Sequence, residues 1–126
     1  MDTAAGRILV VDDDPSLLKL MTTYLSRLGY QVVSCNNSDE AWALVRAAPS
    51  LYSLALVDLN MPGMRGEELA RRILACNASI RLIVASGYPA ELSGVEALDS
   101  RVTFLHKPFA PKELARAVGA GAPKAD

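Results

Sequence analysis

Five short apolar runs alternate along the chain with stretches whose apolar residues recur at helical spacing. Four runs are apolar almost throughout: Ile8-Leu9-Val10-Val11, Leu54-Ala55-Leu56-Val57, Leu82-Ile83-Val84-Ala85 and Val102-Thr103-Phe104-Leu105. The remaining run ends at Cys35. Unbroken rather than alternating hydrophobicity is how strands covered on both faces read. Between the runs, helical stripes are carried by Leu17, Met21, Tyr24, Leu25 and Leu28, then by Ala41, Leu44, Val45 and Ala48. Two more are carried by Leu69, Ile73 and Cys76, and by Leu114, Ala115 and Val118. Asp14 and Pro15 suit the first helix start and Gly29 its end. The second helix is expected from Ser38 to just before Pro49, the third over about 67–76, and the last from Pro111. Ala110, before Pro111, offers no side-chain acceptor, so that last start is expected to be weakly fixed. Residues 87–101 hold Gly87, Pro89, Ser93 and Gly94, with Leu92, Val95 and Leu98 as their apolar residues, and predict a short or distorted fourth helix.

Strand and helix in strict alternation imply a parallel sheet with helices on both sides and right-handed crossovers. The expected fold is α/β: a flavodoxin-like, doubly wound, five-stranded parallel sheet of order 2-1-3-4-5 with five helices. In such a sheet the run ends all point one way, and ligands bind where the strand order reverses, between strands one and three. Those strands end in Asp12-Asp13 and in Asp58. Ser86 and Lys107 follow two further runs. Three carboxylates, a hydroxyl and an ammonium therefore converge. Three close carboxylates cannot all ionise without a counter-charge. A hard divalent cation with oxygen ligands, magnesium above all, relieves this and accepts phosphate oxygens.

Composition narrows the setting. The chain of 126 residues is one domain, with 51% apolar residues for a core. Its net charge of −1 is spread without a basic stripe, so direct nucleic-acid binding is not expected. No apolar run approaches the roughly 18 residues of a membrane span, and residues 1–6 have no signal-peptide pattern. Cys35 and Cys76 read as reduced packing residues, and a cytoplasmic location is expected. The domain is placed at 7–119, with flexible termini at 1–6 and 120–126.

Taken one at a time, these residues have ordinary explanations. Asp14 reads as a helix cap. Met61-Pro62-Gly63 is a plausible type II turn. His106, the single histidine, reads as a surface side chain, and Trp42 as a packing residue. Four strand ends carrying matched chemistry in the right order are harder to explain that way.

The segments Ile8 to Pro15, Val57-Asp58-Leu59-Asn60-Met61-Pro62-Gly63, Ala85-Ser86-Gly87 and Phe104-Leu105-His106-Lys107-Pro108-Phe109 together resemble the response-regulator receiver domain of two-component signalling. The resemblance covers Arg7 to Val118. It implies that Asp58 is the phosphoacceptor. It implies that Asp12, Asp13, Asp58 and the Asn60 backbone carbonyl hold Mg2+, and that Ser86 and Lys107 contact the phosphoryl oxygens. Phe104 takes the place of the switch aromatic beside Ser86, Asn60 and Tyr88 tune loss of phosphate, and the Lys107-Pro108 bond is cis. The implied donor is a histidine kinase or a histidine phosphotransfer domain, and the implied reader is a downstream protein. Ser86-Gly87-Tyr88-Pro89 is similar to receivers attached to hybrid histidine kinases. Two alternatives stand beside this reading. One is a receiver-like scaffold that binds partners without phosphorylation. The other is a magnesium-dependent phosphatase of the haloacid dehalogenase type, built on Asp12-x-Asp14.

Overall fold

The computed structural model describes residues 6–61, 63–87 and 100–121. Five strands, β1 (Arg7–Val11), β2 (Val32–Cys35), β3 (Tyr52–Asp58), β4 (Arg81–Ser86) and β5 (Val102–His106), form one sheet. Their order is β2-β1-β3-β4-β5, and every pairing is parallel. Four helices are described: α1 (Pro15–Arg27), α2 (Ser38–Ala47), α3 (Gly66–Cys76) and α4 (Pro111–Gly121). The helix expected within 87–101, with Leu92, Val95 and Leu98, falls almost wholly outside the described residues, as does Tyr88. No helix among the described residues is long and apolar enough to cross a membrane.

Successive strand residues face opposite sides of the sheet, so each run feeds two cores. Leu9, Val11, Ala55, Val57 and Val84 pack with Ala41, Val45, Leu69 and Ile73 on the α2–α3 side. Ile8, Val10, Leu54, Leu56 and Ile83 pack with Met21, Leu25, Leu114 and Val118 on the α1–α4 side. Burying a Leu or Ile fully stabilises by about 1.5–3 kcal/mol before entropy is counted, so these two layers hold the sheet rigid under its strand ends.

Local chemistry sets the helix ends. The Asp14 carboxylate accepts from the Ser16 and Leu17 N–H groups, and Gly29 takes the left-handed conformation (φ 102°) that closes α1. Asn37 caps α2 by accepting from Glu40. Two expectations are corrected. Leu44 is 37% exposed, because the inward line of α2 runs Ser38, Ala41, Val45 and leaves Leu44 to one side. The start of α4 is fixed after all: Glu113 Oε1 reaches back to accept from the Ala110 N–H at 2.7 Å. This is half of a capping box, supplied by N3 rather than by the cap residue.

At the foot of the sheet Asn77 is buried. Its amide donates to the carbonyls of Pro49 (2.5 Å) and Tyr52 (3.2 Å) and accepts from the Ser79 N–H (2.9 Å). Arg101 donates to the Leu74 and Asn77 carbonyls, satisfying the last turn of α3 from the start of β5. Both cysteines are free. Trp42 is half-buried, with the Arg72 guanidinium 5.8 Å from its ring centre.

Candidate functional site

The site is a product of strand register. Val11 of β1 stands beside Val57 of β3, so the next residue on each strand, Asp12 and Asp58, emerge together. Asp58 pairs with Ala85 of β4, and Ser86 with His106 of β5, so Ser86 and Lys107 arrive at the same edge. Asp12, Asp13 and Asp58 each offer a carboxylate oxygen within 4.8 Å of the others. Asp12 is 1% and Asp58 4% exposed, and Asp13 lies open to solvent.

Each buried carboxylate has one oxygen held by backbone and the other by Lys107. The Asp14 N–H donates to Asp12 Oδ1 at 2.9 Å, and the Asn60 N–H donates to Asp58 Oδ1 at 3.0 Å. Lys107 Nζ lies 3.1 Å from Asp12 Oδ2 and 3.3 Å from Asp58 Oδ2. The peptide bond from Lys107 to Pro108 is cis. Burial pushes the Asp12 carboxyl above its usual range, with the Asp58 charge adding to it, and the Asp14 N–H and Lys107 only partly offset this. Burial pulls the Lys107 ammonium down, but the charges of Asp12 and Asp58 outweigh it, so its affinity for the proton rises. The site thus sets three carboxylates against one ammonium. This oxygen-only donor set, short of positive charge, fits a hard divalent cation.

Ser86 is 1% exposed. Its hydroxyl accepts from Asn60 Nδ2 at 3.3 Å and its carbonyl from the Lys107 N–H at 2.8 Å. Phe104 is half-buried against the α2–α3 core, its ring centre 6.5 Å from that of exposed His106. Asp14 is spent on capping α1 and lies outside the cluster. Beside Lys107 opens a cavity of about 410 Å³ lined by Leu17, Gly87, Lys107, Pro108 and Phe109.

One residue of the site escaped the sequence reading. A Cβ on Gly66 would lie 2.5 Å from Leu59 Cα and 2.6 Å from the Asp58 carbonyl oxygen. The first turn of α3 therefore rides directly on the Asp58–Leu59 peptide, whose Leu59 N–H is held on the other side by the Ala85 carbonyl at 2.9 Å. Only glycine permits that approach. The signal in the sequence was a glycine opening a helix that has no capping side chain.

Comparison with known proteins agrees with this geometry. The family model described as the response regulator receiver domain matches residues 8–119. The DNA-binding response regulator MtrA of Mycolicibacterium smegmatis is 35% identical over 121 residues, which is 95% of this chain and 52% of that protein. The crystal structure of a response regulator receiver domain protein from Methanospirillum hungatei superposes with a TM-score of 0.83 at 27% identity, covering 92% of each chain. The receiver domain of the hybrid histidine kinase CckA superposes with a TM-score of 0.80 at 28% identity, covering 92% of this chain and 98% of that one. The chain spans about half the length, or less, of the curated relatives it matches.

Proposed function

The chain belongs to the response regulator receiver family, signalling phosphoacceptors rather than turnover enzymes, and on that basis we propose that Asp58 is the carboxylate that takes up the phosphoryl group. The observation that carries this reading is the position of Asp58. It ends the central strand, 4% exposed, with Lys107 at 3.3 Å and two further carboxylates beside it.

Phosphoryl transfer needs positioning and charge neutralisation more than covalent help. A carboxylate oxygen of Asp58 attacks phosphorus. The bond from phosphorus to a donor imidazole nitrogen breaks, the imidazole keeps the electron pair and is then free to take a proton, and an acyl phosphate remains on Asp58. Lys107 counters the charge of acceptor and phosphoryl oxygens. The Ser86 hydroxyl donates to the phosphoryl group, and Phe104 responds to the shift of Ser86, a two-state change biased by the new contact. Asp12, Asp13, Asp58 and the Asn60 carbonyl would hold magnesium, which when bound supplies positive charge to the phosphoryl oxygens. By family resemblance Asn60 and Tyr88 are the residues that tune loss of phosphate; Tyr88 lies outside the described residues.

The donor is the phosphohistidine of a histidine kinase or phosphotransfer domain, in the cytoplasm, and a downstream protein reads the result. An apolar lip supports a protein donor: Leu17, Pro108 and Phe109 border Lys107, and Leu20 on α1 is 61% exposed. The phosphatase alternative loses its general acid, because Asp14 caps α1. The scaffold alternative predicts no response to beryllofluoride, a phosphoryl mimic.

Incubation with magnesium and acetyl phosphate should add one phosphoryl group, and Asp58→Ala should abolish it. Undiminished labelling of that variant would overturn the assignment.

A further inference from the structure

Only Asp12, Asp13 and Asp14 join β1 to α1, and the chain is pinned at both ends of this stretch. The Asp12 N–H donates to the Cys35 carbonyl of β2 at 3.2 Å. Asp14 is held by α1: its Oδ1 accepts from the Ser16 N–H at 3.0 Å and the Leu17 N–H at 3.3 Å, and its carbonyl accepts from the Leu18 N–H at 2.9 Å. From that anchored position the Asp14 N–H donates to Asp12 Oδ1 at 2.9 Å. Asp14 therefore faces two ways, its side chain on the helix and its N–H on the acid cluster. The matching turn after β3 is built differently. The Asn60 N–H donates to Asp58 Oδ1, but α3 starts only at Gly66, and Arg65 before it supplies no side-chain cap.

We propose that the Asp14 carboxylate is a positioning residue for Asp12 and Asp13, locking the turn that carries them to α1 so that they present a fixed pair of magnesium ligands. The helix is a firm anchor, because Met21 and Leu25 bury it against the sheet. Pro15 keeps Asp14 extended (φ −84°, ψ 109°), but the direction in which the chain enters the helix is set by the cap. Without the cap the Asp14 peptide is free to tilt, and Asp12 Oδ1 loses a donor held in one place. Asp13 is exposed, so its placement follows the backbone of the same turn. Magnesium demands near-ideal octahedral geometry, so a loosened turn costs affinity.

This role presupposes the magnesium reading of the acid cluster, and the test separates the two. Asp14→Asn, Asp14→Ser and Asp14→Ala all remove the same charge, but only the alanine removes the cap. Both cores are untouched in all three, so all three should fold. Each is titrated with magnesium alone and followed by amide NMR. Asp14→Ala should bind magnesium about three- to tenfold more weakly than Asp14→Asn or Asp14→Ser, the worth of one hydrogen bond. In the metal-free protein the amide of residue 14 should exchange with solvent faster in Asp14→Ala than in the other two. Fraying of the helix end alone would speed exchange at Ser16 and Leu17 and leave residue 14 unchanged. Equal magnesium affinity in the three variants, or equal exchange at residue 14, overturns the positioning role and leaves the metal reading standing. A wild type that binds no magnesium overturns the metal reading and the positioning role with it.

Discussion

Replacing Lys107 with methionine keeps the length of the stem and removes the one ammonium between two buried carboxylates. Its Nζ lies 3.1 Å from Asp12 Oδ2 and 3.3 Å from Asp58 Oδ2. At an effective dielectric constant of about 20, each contact is an attraction of about 5 kcal/mol. Most of that offsets the cost of taking the charges out of water, and losing one partner of a buried ion pair costs about 3–5 kcal/mol net. Because 23% of the Lys107 side chain remains exposed, the low end applies, and the variant should lose about 3 kcal/mol at neutral pH, or roughly 10 °C in Tm. The loss should depend on pH with a definite sign. Asp12 already holds its proton above the usual carboxylate range because it is buried, and without Lys107 it should hold it more tightly. As pH falls through that raised pKa toward 3.8, the unpaired carboxylate takes a proton and the gap to wild type narrows. Urea unfolding in chelator, at neutral pH and again near the carboxylate range, measures both limbs. Added magnesium should also narrow the gap at neutral pH by replacing the missing charge. A variant as stable as wild type in chelator at neutral pH, or a deficit that ignores pH, would show that Lys107 does not neutralise these acids.

Asp12→Asn should raise the stability of the metal-free protein, read by thermal unfolding in chelator. The raised pKa of Asp12 means that its contribution is fully present below 3.8 and is lost as pH rises through the folded-state value. The gain should therefore appear at neutral pH and vanish in acid, and magnesium should no longer stabilise the variant. Gly66→Ala sets a methyl group 2.5 Å from Leu59 Cα; overpacking of this kind costs about 1–3 kcal/mol. The displaced Asp58 should accept phosphate from acetyl phosphate about tenfold to a hundredfold more slowly, and a stable variant labelled at the wild-type rate would contradict the contact. Asn77→Ala removes three hydrogen bonds at the foot of the sheet and should cost about 2–3 kcal/mol in urea unfolding. The folded fraction should still label at the wild-type rate, since Asn77 lies at the opposite end of the strands from Asp58.

What the sequence settled was local or periodic. Doubly covered strands have to be apolar on both faces, so their runs and ends could be read directly. Asp14-Pro15 and Gly29 bound α1 through chemistry contained within a few residues. Alternation and handedness gave a doubly wound parallel sheet; the order 2-1-3-4-5 was expected among the orders such a sheet allows, and with it the meeting of Asp12, Asp13 and Asp58, which the structure has. What tertiary structure decided were contacts between residues far apart in the chain, for which no local pattern exists. Leu44 reads as part of a stripe, yet it faces outward because the phase of α2 against the sheet sets Ser38, Ala41 and Val45 inward. The closeness of Gly66 to the Asp58 peptide depends on how α3 returns across β3. The contact from Asn60 to Ser86 depends on the register of β3 with β4, and the Arg101 clamp on the placing of β5 beside α3. A single sequence carries the chemistry of each group, but distances between groups are fixed only when packing selects one register and one helix phase out of several the pattern allows.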